Sequence, residues 1–358
     1  MIVTTLHKSI LRELVSVFLI TIAFLNSILM MEKLLRLSRI LSGVGATVID
    51  MAKIILYLQP QLLMLTIPMS LLLTTLLVYG RMNLDSEIIV MKAAGMDFRK
   101  ISRPVFVLGM VCFLASLAVS FSIGPKSSVR LRNTISQVIA ARSTLALEEG
   151  MFNTSFKDVV IIVKGKRSSD TLENIFIYDN RVKDEPKVLM AKEGKLSAYD
   201  GLNIGLYLTD GYINITRNEN TTELFFEKYN MTLSIDAEST SPKKMEFTPL
   251  ELMEQAKGAD TFRKRAGFYL ELHRRLSLPS VCLILVLLGP PLSLIAGKSG
   301  RLGGLALGLF VFVLFYMLLI YGENLAMAKK LPHYLGAWLS SIVLGVFAGI
   351  MFWRGASR

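Results

Sequence analysis

Residues Gly80 to Arg103 read GRMNLDSEIIVMKAAGMDFRKISR, a charged island between two long apolar runs. Asn83 can cap a helix, and Asp85 and Glu87 fall in its first turn, where negative charge suits the helix dipole. Ile88, Ile89 and Met91 supply an apolar side, and Gly95 is a natural stop. The pattern predicts a short helix over residues 83–95, lying at a membrane surface and open to a partner. The alternative is an ordinary loop joining two spans.

Outward from the island the chain is apolar. Of its 358 residues 52% are hydrophobic, and the mean hydropathy is +0.50. That excludes a soluble enzyme of ordinary composition. Crossing a hydrocarbon core of about 30 Å takes about 20 apolar residues. Six runs qualify: Leu14–Met31, Ile54–Gly80, Pro104–Pro125, Leu276–Gly297, Leu302–Gly322 and Leu331–Trp353. Basic residues, and no small-residue cleavage site, follow the first, so it reads as a retained span. Pro60 and Pro68 in the second run should kink a helix and free carbonyls that neighbouring helices must satisfy. Pro279 and Pro290-Pro291 should bend or end the fourth. Gly303-Gly304 and Gly308 in the fifth permit close helix approach, either to another subunit or within the chain.

Between the third and fourth runs the composition changes. From Glu148 to Asp236 short β-rich segments alternate with turn signals, as in Val159–Val163, Ile175–Tyr178 and Leu206–Leu208. Glu193-Gly194, Asp200-Gly201 and Asp210-Gly211 read as tight hairpin turns. A sandwich or jelly roll of roughly 90 residues is expected. Adjacent Phe225 and Phe226 must face opposite sides of a strand, one in the core and the other toward a partner or a second sheet. Ser239–Lys264 is polar and reads as a linker with a short helix. The expected fold class is an α+β membrane protein, six transmembrane helices (3+3) around an inserted β-jellyroll domain. The expected limits are residues 1–125, with the surface helix; 126–262 for the β domain and its linkers; and 263–358.

The net charge of +12 fits headgroups and cytoplasmic loops rather than nucleic acid, for which no motif is present. Cys112 and Cys282 both fall in apolar runs, so no disulfide framework is expected. Basic residues crowd both sides of the spans, and the positive-inside rule does not orient the chain. Lys33, Arg36 and Arg39 follow the first span at helical spacing, Arg130 and Arg132 follow the third, and Arg274-Arg275 open the fourth. They form a basic collar at one membrane surface. It serves either a phosphate-bearing amphiphile or simple snorkelling to ordinary headgroups.

Nothing reads as an active site. His7, His273 and His333 each lie at the end of a span, and no HExxH, GxSxG or paired-cysteine motif is present. Gly297-Lys298-Ser299 resembles the end of a phosphate loop, but Leu292 stands where its first glycine belongs. Glu323 closes the fifth span, as an interfacial residue or as a proton or cation ligand.

Several stretches carry a family resemblance. They are Leu11-Arg12-Glu13-Leu14; Gly80-Arg81, Asp85-Ser86-Glu87-Ile88 and Ala94-Gly95; Gly124-Pro125 with Ser127-Ser128; His273-Arg274-Arg275 with Leu278-Pro279; Gly289-Pro290-Pro291-Leu292; Gly303-Gly304; and Trp338-Leu339. In this order, and with the 3 + β + 3 layout, they resemble the LptF/LptG family of permeases, which extract lipopolysaccharide in Gram-negative bacteria.

The resemblance implies a multi-pass protein of the bacterial inner (cytoplasmic) membrane, with a periplasmic β-jellyroll and both termini cytoplasmic. It implies a non-catalytic subunit of an ABC-type transporter with no cofactor of its own, ATP and Mg belonging to an LptB-type ATPase dimer. The entry Gly124–Ser128 favours the F-type subunit over the G-type, paired with the other type. LptC/LptA-type β-jellyroll proteins continue the bridge. Asp85, Glu87, Ile88, Met91 and Gly95 would couple to the ATPase, Glu87 meeting it directly. Lys33, Arg36, Arg39, Arg130, Arg132, Arg274 and Arg275 would meet the lipid. Two rival functions remain. A secondary transporter would need intramembrane ionisable residues and repeated halves. A membrane-anchored scaffold would work through its β domain alone.

Overall fold

The computed structural model describes residues 2–42, 47–142, 149–156, 158–167, 171–182, 186–198, 203–217, 220–234, 243–296 and 300–356. In chain order the elements are α1 (Ile2–Ser42), α2 (Val48–Leu84), α3 (Glu87–Ala93), α4 (Phe98–Ala118), a π turn (Val119–Ile123) and α5 (Gly124–Arg142). Six strands follow: β1 (Asn153–Phe156), β2 (Val159–Lys166), β3 (Thr171–Asp179), β4 (Lys187–Ala198), β5 (Asn203–Arg217) and β6 (Asn220–Ser234). A 3-10 turn (Lys244–Glu246), α6 (Pro249–Lys257), α7 (Phe262–Ala296), α8 (Gly300–Met327) and α9 (His333–Ala356) complete the chain. Asp200-Gly201, expected as a turn, and Gly297–Ser299 lie outside the described residues.

Packing divides the chain into two compact units. One holds Met1–Met31, Leu58–Ser128 and Lys243–Arg358; the other holds Glu32–Tyr57 and Val129–Pro242. Six helical stretches among the described residues are long and apolar enough to cross a membrane, and each expected run overlaps one of them.

In the first unit the prolines explain much of the packing. Proline has no N–H, so the carbonyl four residues earlier loses its helical donor. Pro104 of α4 frees the carbonyl of Lys100, and the Nε2 of His7 on α1 donates to it at 2.9 Å. The neighbouring Ile101 carbonyl accepts from the Tyr79 hydroxyl of α2 at 2.7 Å. Pro279 of α7 frees the carbonyl of Arg275, and the Ser120 hydroxyl donates to it at 2.9 Å. Pro125 was expected to end the third span. The helix instead widens for one turn, with the Gly124 N–H reaching the Val119 carbonyl five residues back, and then runs on to Arg142. A Cβ on Gly124 would sit 2.9 Å from that carbonyl oxygen, so the widening requires glycine. The fourth run likewise stays helical through Pro290-Pro291, to Ala296.

Small residues set the closest helix contacts. A Cβ on Gly308 of α8 would lie 2.6 Å from a Leu73 methyl on α2, which makes that glycine an intrachain packing site. At Gly322 of α8 and Gly336 of α9 backbone meets backbone. A Cβ on Gly336 would fall 2.6 Å from the Gly322 carbonyl oxygen and 2.7 Å from the Ala326 Cβ.

The second unit carries one six-stranded antiparallel sheet in the sequential order β1-β2-β3-β4-β5-β6. The inserted β domain is present between the third and fourth spans, and its connectivity is that of a meander. Ile161, Ile177, Leu189 and Ile213 are paired across β2–β5, and all are buried in its core. Phe226 packs against that core, whereas Phe225 is 81% exposed beside Tyr212. Glu193-Gly194 and Asp210-Gly211 are not turns: they lie inside β4 and β5. Asn174 on β3 and Asp210 on β5 adopt φ of +49° and +52°. The alternation slips there, so that Lys192-Glu193 and Asn174-Asp210 are outside while Leu172, Gly194 and Leu208 stay inside. A crease therefore crosses the sheet. An Asp-Gly pair suits a left-handed bulge as well as a hairpin, because both need φ above zero.

At one end of β3, Arg181 donates from Nε and Nη2 to the two Asp179 carboxylate oxygens, at 2.9 and 2.6 Å, and from Nη1 to the Thr232 carbonyl of β6 at 2.8 Å. Burial pushes the Asp179 carboxyl up, but the hydrogen bonds and charge of Arg181 outweigh it and hold the group below the usual carboxylate range.

Two outcomes are expected. Gly336→Ala should cost roughly 1–3 kcal/mol of stability through overpacking. It is read as a lowered thermal midpoint of the full chain against Gly349→Ala, whose Cβ meets nothing within 4 Å. The depressed Asp179 carboxyl contributes stability in full above its unfolded pKa of about 3.9 and loses it as pH falls through the lower folded value. Amide exchange along β3 and β6 should accelerate on acidification below about pH 4 in the native chain, and Asp179→Asn should remove that acid step.

Candidate functional site

The island Gly80–Arg103 folds into the end of α2, a left-handed residue, the seven-residue helix α3, a glycine stop and the start of α4. Asn83 does not cap α3. It sits in the last turn of α2, where its Nδ2 reaches the Leu294 carbonyl of α7 at 3.4 Å. Ser86, at φ 60°, precedes α3 without a side-chain cap bond. Gly95, at φ +83°, ends it, with its N–H on the Lys92 carbonyl at 2.9 Å.

Arg81 is the centre of this junction. Its Nε and Nη2 donate to the two carboxylate oxygens of Glu13 on α1, both at 2.9 Å. Its Nη1 donates to Asp85 and to Glu87, both at 3.0 Å. One guanidinium thus ties α1, the end of α2 and the first residue of α3. Partly exposed ion pairs are individually weak, about 0–1 kcal/mol, but a two-pronged arginine fork shared among three carboxylates fixes geometry. Ile88 and Met91, expected to couple to a partner, are 2% and 8% exposed and hold α3 to the bundle. The outward face belongs to Ile89 and Val90, 60% and 66% exposed. Lys92 lies over the Phe98 ring at 5.2 Å, and Phe98 contacts Phe352 of α9. The start of α1, through His7, and the end of α9, through Gly355 near Phe98, lie at this same end of the first unit.

The collar residues divide between the two units. Arg274 is partly exposed and lies 3.9 Å from Glu323 of α8, which itself faces the bundle rather than standing alone. Arg275 is only 2% exposed. Its Nη2 donates to the Lys244 and Met245 carbonyls, at 3.3 and 3.1 Å, and its Nε faces Glu271 at 3.7 Å. It clamps the returning linker onto α7 and has little reach left for a lipid. In the second unit Lys33 and Arg132 are half-buried and Arg130 is exposed. Arg36 and Arg39 continue α1, and their side chains lie outside the described residues. Among the described residues no cluster of three or more metal-ligating side chains occurs.

The sequence reading missed Arg81, Glu13, His7, Tyr79 and Ser120 as a working set. Pro104 and Pro279 announce which carbonyls are free, but not which distant side chain fills them.

A model of the lipopolysaccharide export system permease LptF/LptG family matches residues 8–354. An uncharacterized protein of Rickettsia prowazekii (strain Madrid E) is 23% identical over 238 residues, 66% of each chain, so this chain spans just under two thirds of it. The lipopolysaccharide export system permease protein LptF of Escherichia coli (strain K12) is 23% identical over 298 residues, 79% of this chain and 77% of that one. LptF of Shigella flexneri matches to the same extent. The matched region takes in the Arg81 junction, the whole β insertion, four of the six spans entire and nearly all of the first and last, and the chain belongs to the lipopolysaccharide export system permease LptF/LptG family.

Proposed function

We propose that this chain is the non-catalytic, F-type permease subunit of an ATP-driven exporter that draws lipopolysaccharide from the inner membrane into a β-domain bridge. The observation that carries the reading is the Arg81 fork, which joins an outward-facing helix to two spans. Ile89 and Val90 give an ATPase an apolar foothold. Ile88 and Met91 pass a push into the bundle, and Arg81 passes it to α1 through Glu13. Movement of α3 then biases two packings of the spans, a population shift that needs no catalytic group on this chain.

In this reading the end bearing α3 and both termini is cytoplasmic, and an LptB-type dimer binds ATP and Mg there. The entry Gly124–Ser128 favours the F-type assignment, with a G-type partner completing the pair. Lys33, Arg36, Arg39, Arg130, Arg132 and Arg274 meet lipid phosphates, and Arg275 holds the linker instead. β6, which pairs only with β5 among the described residues, offers a fifteen-residue edge to LptC/LptA-type β domains.

Ile89→Asp places a charge in the foothold and should lower ATPase co-purification by about tenfold or more while the protein still inserts. Unchanged association would remove the docking role of α3. Arg81→Gln should keep ATPase binding but speed amide exchange in α3 by about tenfold, with transport reduced. Protection left at the native level would show that the fork does not hold the helix.

A further inference from the structure

The first turns of α1 and of α4 each carry bases above an outward-facing apolar ladder. On α1, Lys8, Arg12, Val15 and Leu19 recur at steps of four, three and four residues, so they share one face, and all are exposed. On α4, Lys100, Arg103, Val107 and Val111 recur at steps of three, four and four and are exposed as well. The hydrogen bond from His7 to the Lys100 carbonyl, at 2.9 Å, pins the two helix starts together. Ile10 and Leu14 share a buried cluster with Ile101 and Val105, so the packed faces are the opposite ones. The two ladders run side by side at the usual helix spacing of about 8–10 Å. Between them lies a groove open to the bilayer, with four cations at its mouth.

We propose that this groove holds one anionic glycerophospholipid of the leaflet on the α3 side, its phosphate on the four bases and an acyl chain along the ladders. Charge complementarity selects the headgroup. Among the described residues no ion pair engages Lys8, Arg12, Lys100 or Arg103. The acids closest to them in sequence are committed elsewhere. Glu13 takes the Arg81 fork with both oxygens, and Asp97 accepts from the Arg99 N–H in the first turn of α4, at 3.5 Å. Depth selects a lipid rather than a soluble anion. Both stretches open helices long and apolar enough to cross a membrane, which puts the bases at headgroup level and the valines below it. Arginine grips phosphate with two prongs and lysine with a point charge. Two of each, from two helices, enclose a phosphate more fully than one snorkelling side chain can, as basic pockets between spans do for anionic headgroups. A lipid seated there bridges α1 and α4 and reinforces the exposed His7 bond.

The site requires that α1 and α4 span a bilayer and nothing more. It rests neither on ATPase docking at α3 nor on the lipid that the basic collar meets.

The test uses the full chain in nanodiscs, without the ATPase, carrying a photo-crosslinking residue at Val107. The control position is the exposed Phe347, at matching depth on α9, whose end meets the start of α4 through Phe98 and Phe352. The probes are phosphatidylglycerol and phosphatidylcholine with identical acyl chains, offered in equal amounts. Capture of phosphatidylglycerol at Val107 should exceed capture at Phe347 by about tenfold, with phosphatidylcholine captured alike at both. Lys8→Ala with Lys100→Ala should cut phosphatidylglycerol capture at Val107 by about tenfold. Phosphatidylcholine capture should not change, which shows that the variant is folded. In the native chain, salt at about 1 M, where the Debye length is about 3 Å, should have the same selective effect. Equal capture of phosphatidylglycerol at the two positions would mean ordinary headgroup contact and overturn the site, as would indifference to both the lysine variant and salt. A variant that keeps phosphatidylglycerol capture but loses ATPase co-purification would assign these bases to the ATPase, and so overturn it too. Loss of capture leaves the Ile89 docking result standing, and failure of docking leaves the lipid site standing.

Discussion

A carbonyl stripped of its helical donor within hydrocarbon must find another, because no water is there to take it. In the first unit two freed carbonyls find side-chain donors from other helices, one at the exposed start of α4 and one buried in the bundle. His7 of α1 and Tyr79 of α2 both reach the opening turns of α4, at consecutive carbonyls beside Pro104. Ser120 answers the carbonyl that Pro279 frees in α7. Each proline thereby turns a local defect into a specific contact between helices far apart in sequence. The widened turn at Val119–Ile123 does the same work for Pro125. It keeps the third span continuous where an ordinary α-helix would stop.

The short helix α3 hangs between two of these tied spans. Its buried face is only Ile88 and Met91, too little to order seven residues alone, since an isolated helix of that length is unstable in water. The Arg81 fork and the Gly95 stop supply the rest. A helix held this way is positioned firmly while its outer face stays free. This is the arrangement a lever requires.

Hydrophobic run length made the six spans legible in the sequence, and a shift to β-rich segments made the insertion legible. Gly95 and the apolar side of the island were also readable. The limits of α3 were not: Asn83 looks like a cap, but its amide is engaged with Leu294, a residue distant in sequence. The Asp-Gly pairs misled for a related reason. A left-handed φ can be read from composition, but whether it ends a strand or creases one depends on neighbours such as Ile175 and Leu208, whose methyls crowd Gly194. The collar was assembled from residue type, and Arg275 shows the limit of that method. A guanidinium four residues before Pro279 looks free on paper and is enclosed by Lys244, Met245 and Glu271 in space.

Two bare backbones touching at Gly322 and Gly336 have a mechanical consequence. No room for even a methyl group is left between the last two spans at this point, so any larger residue at either position would wedge them apart.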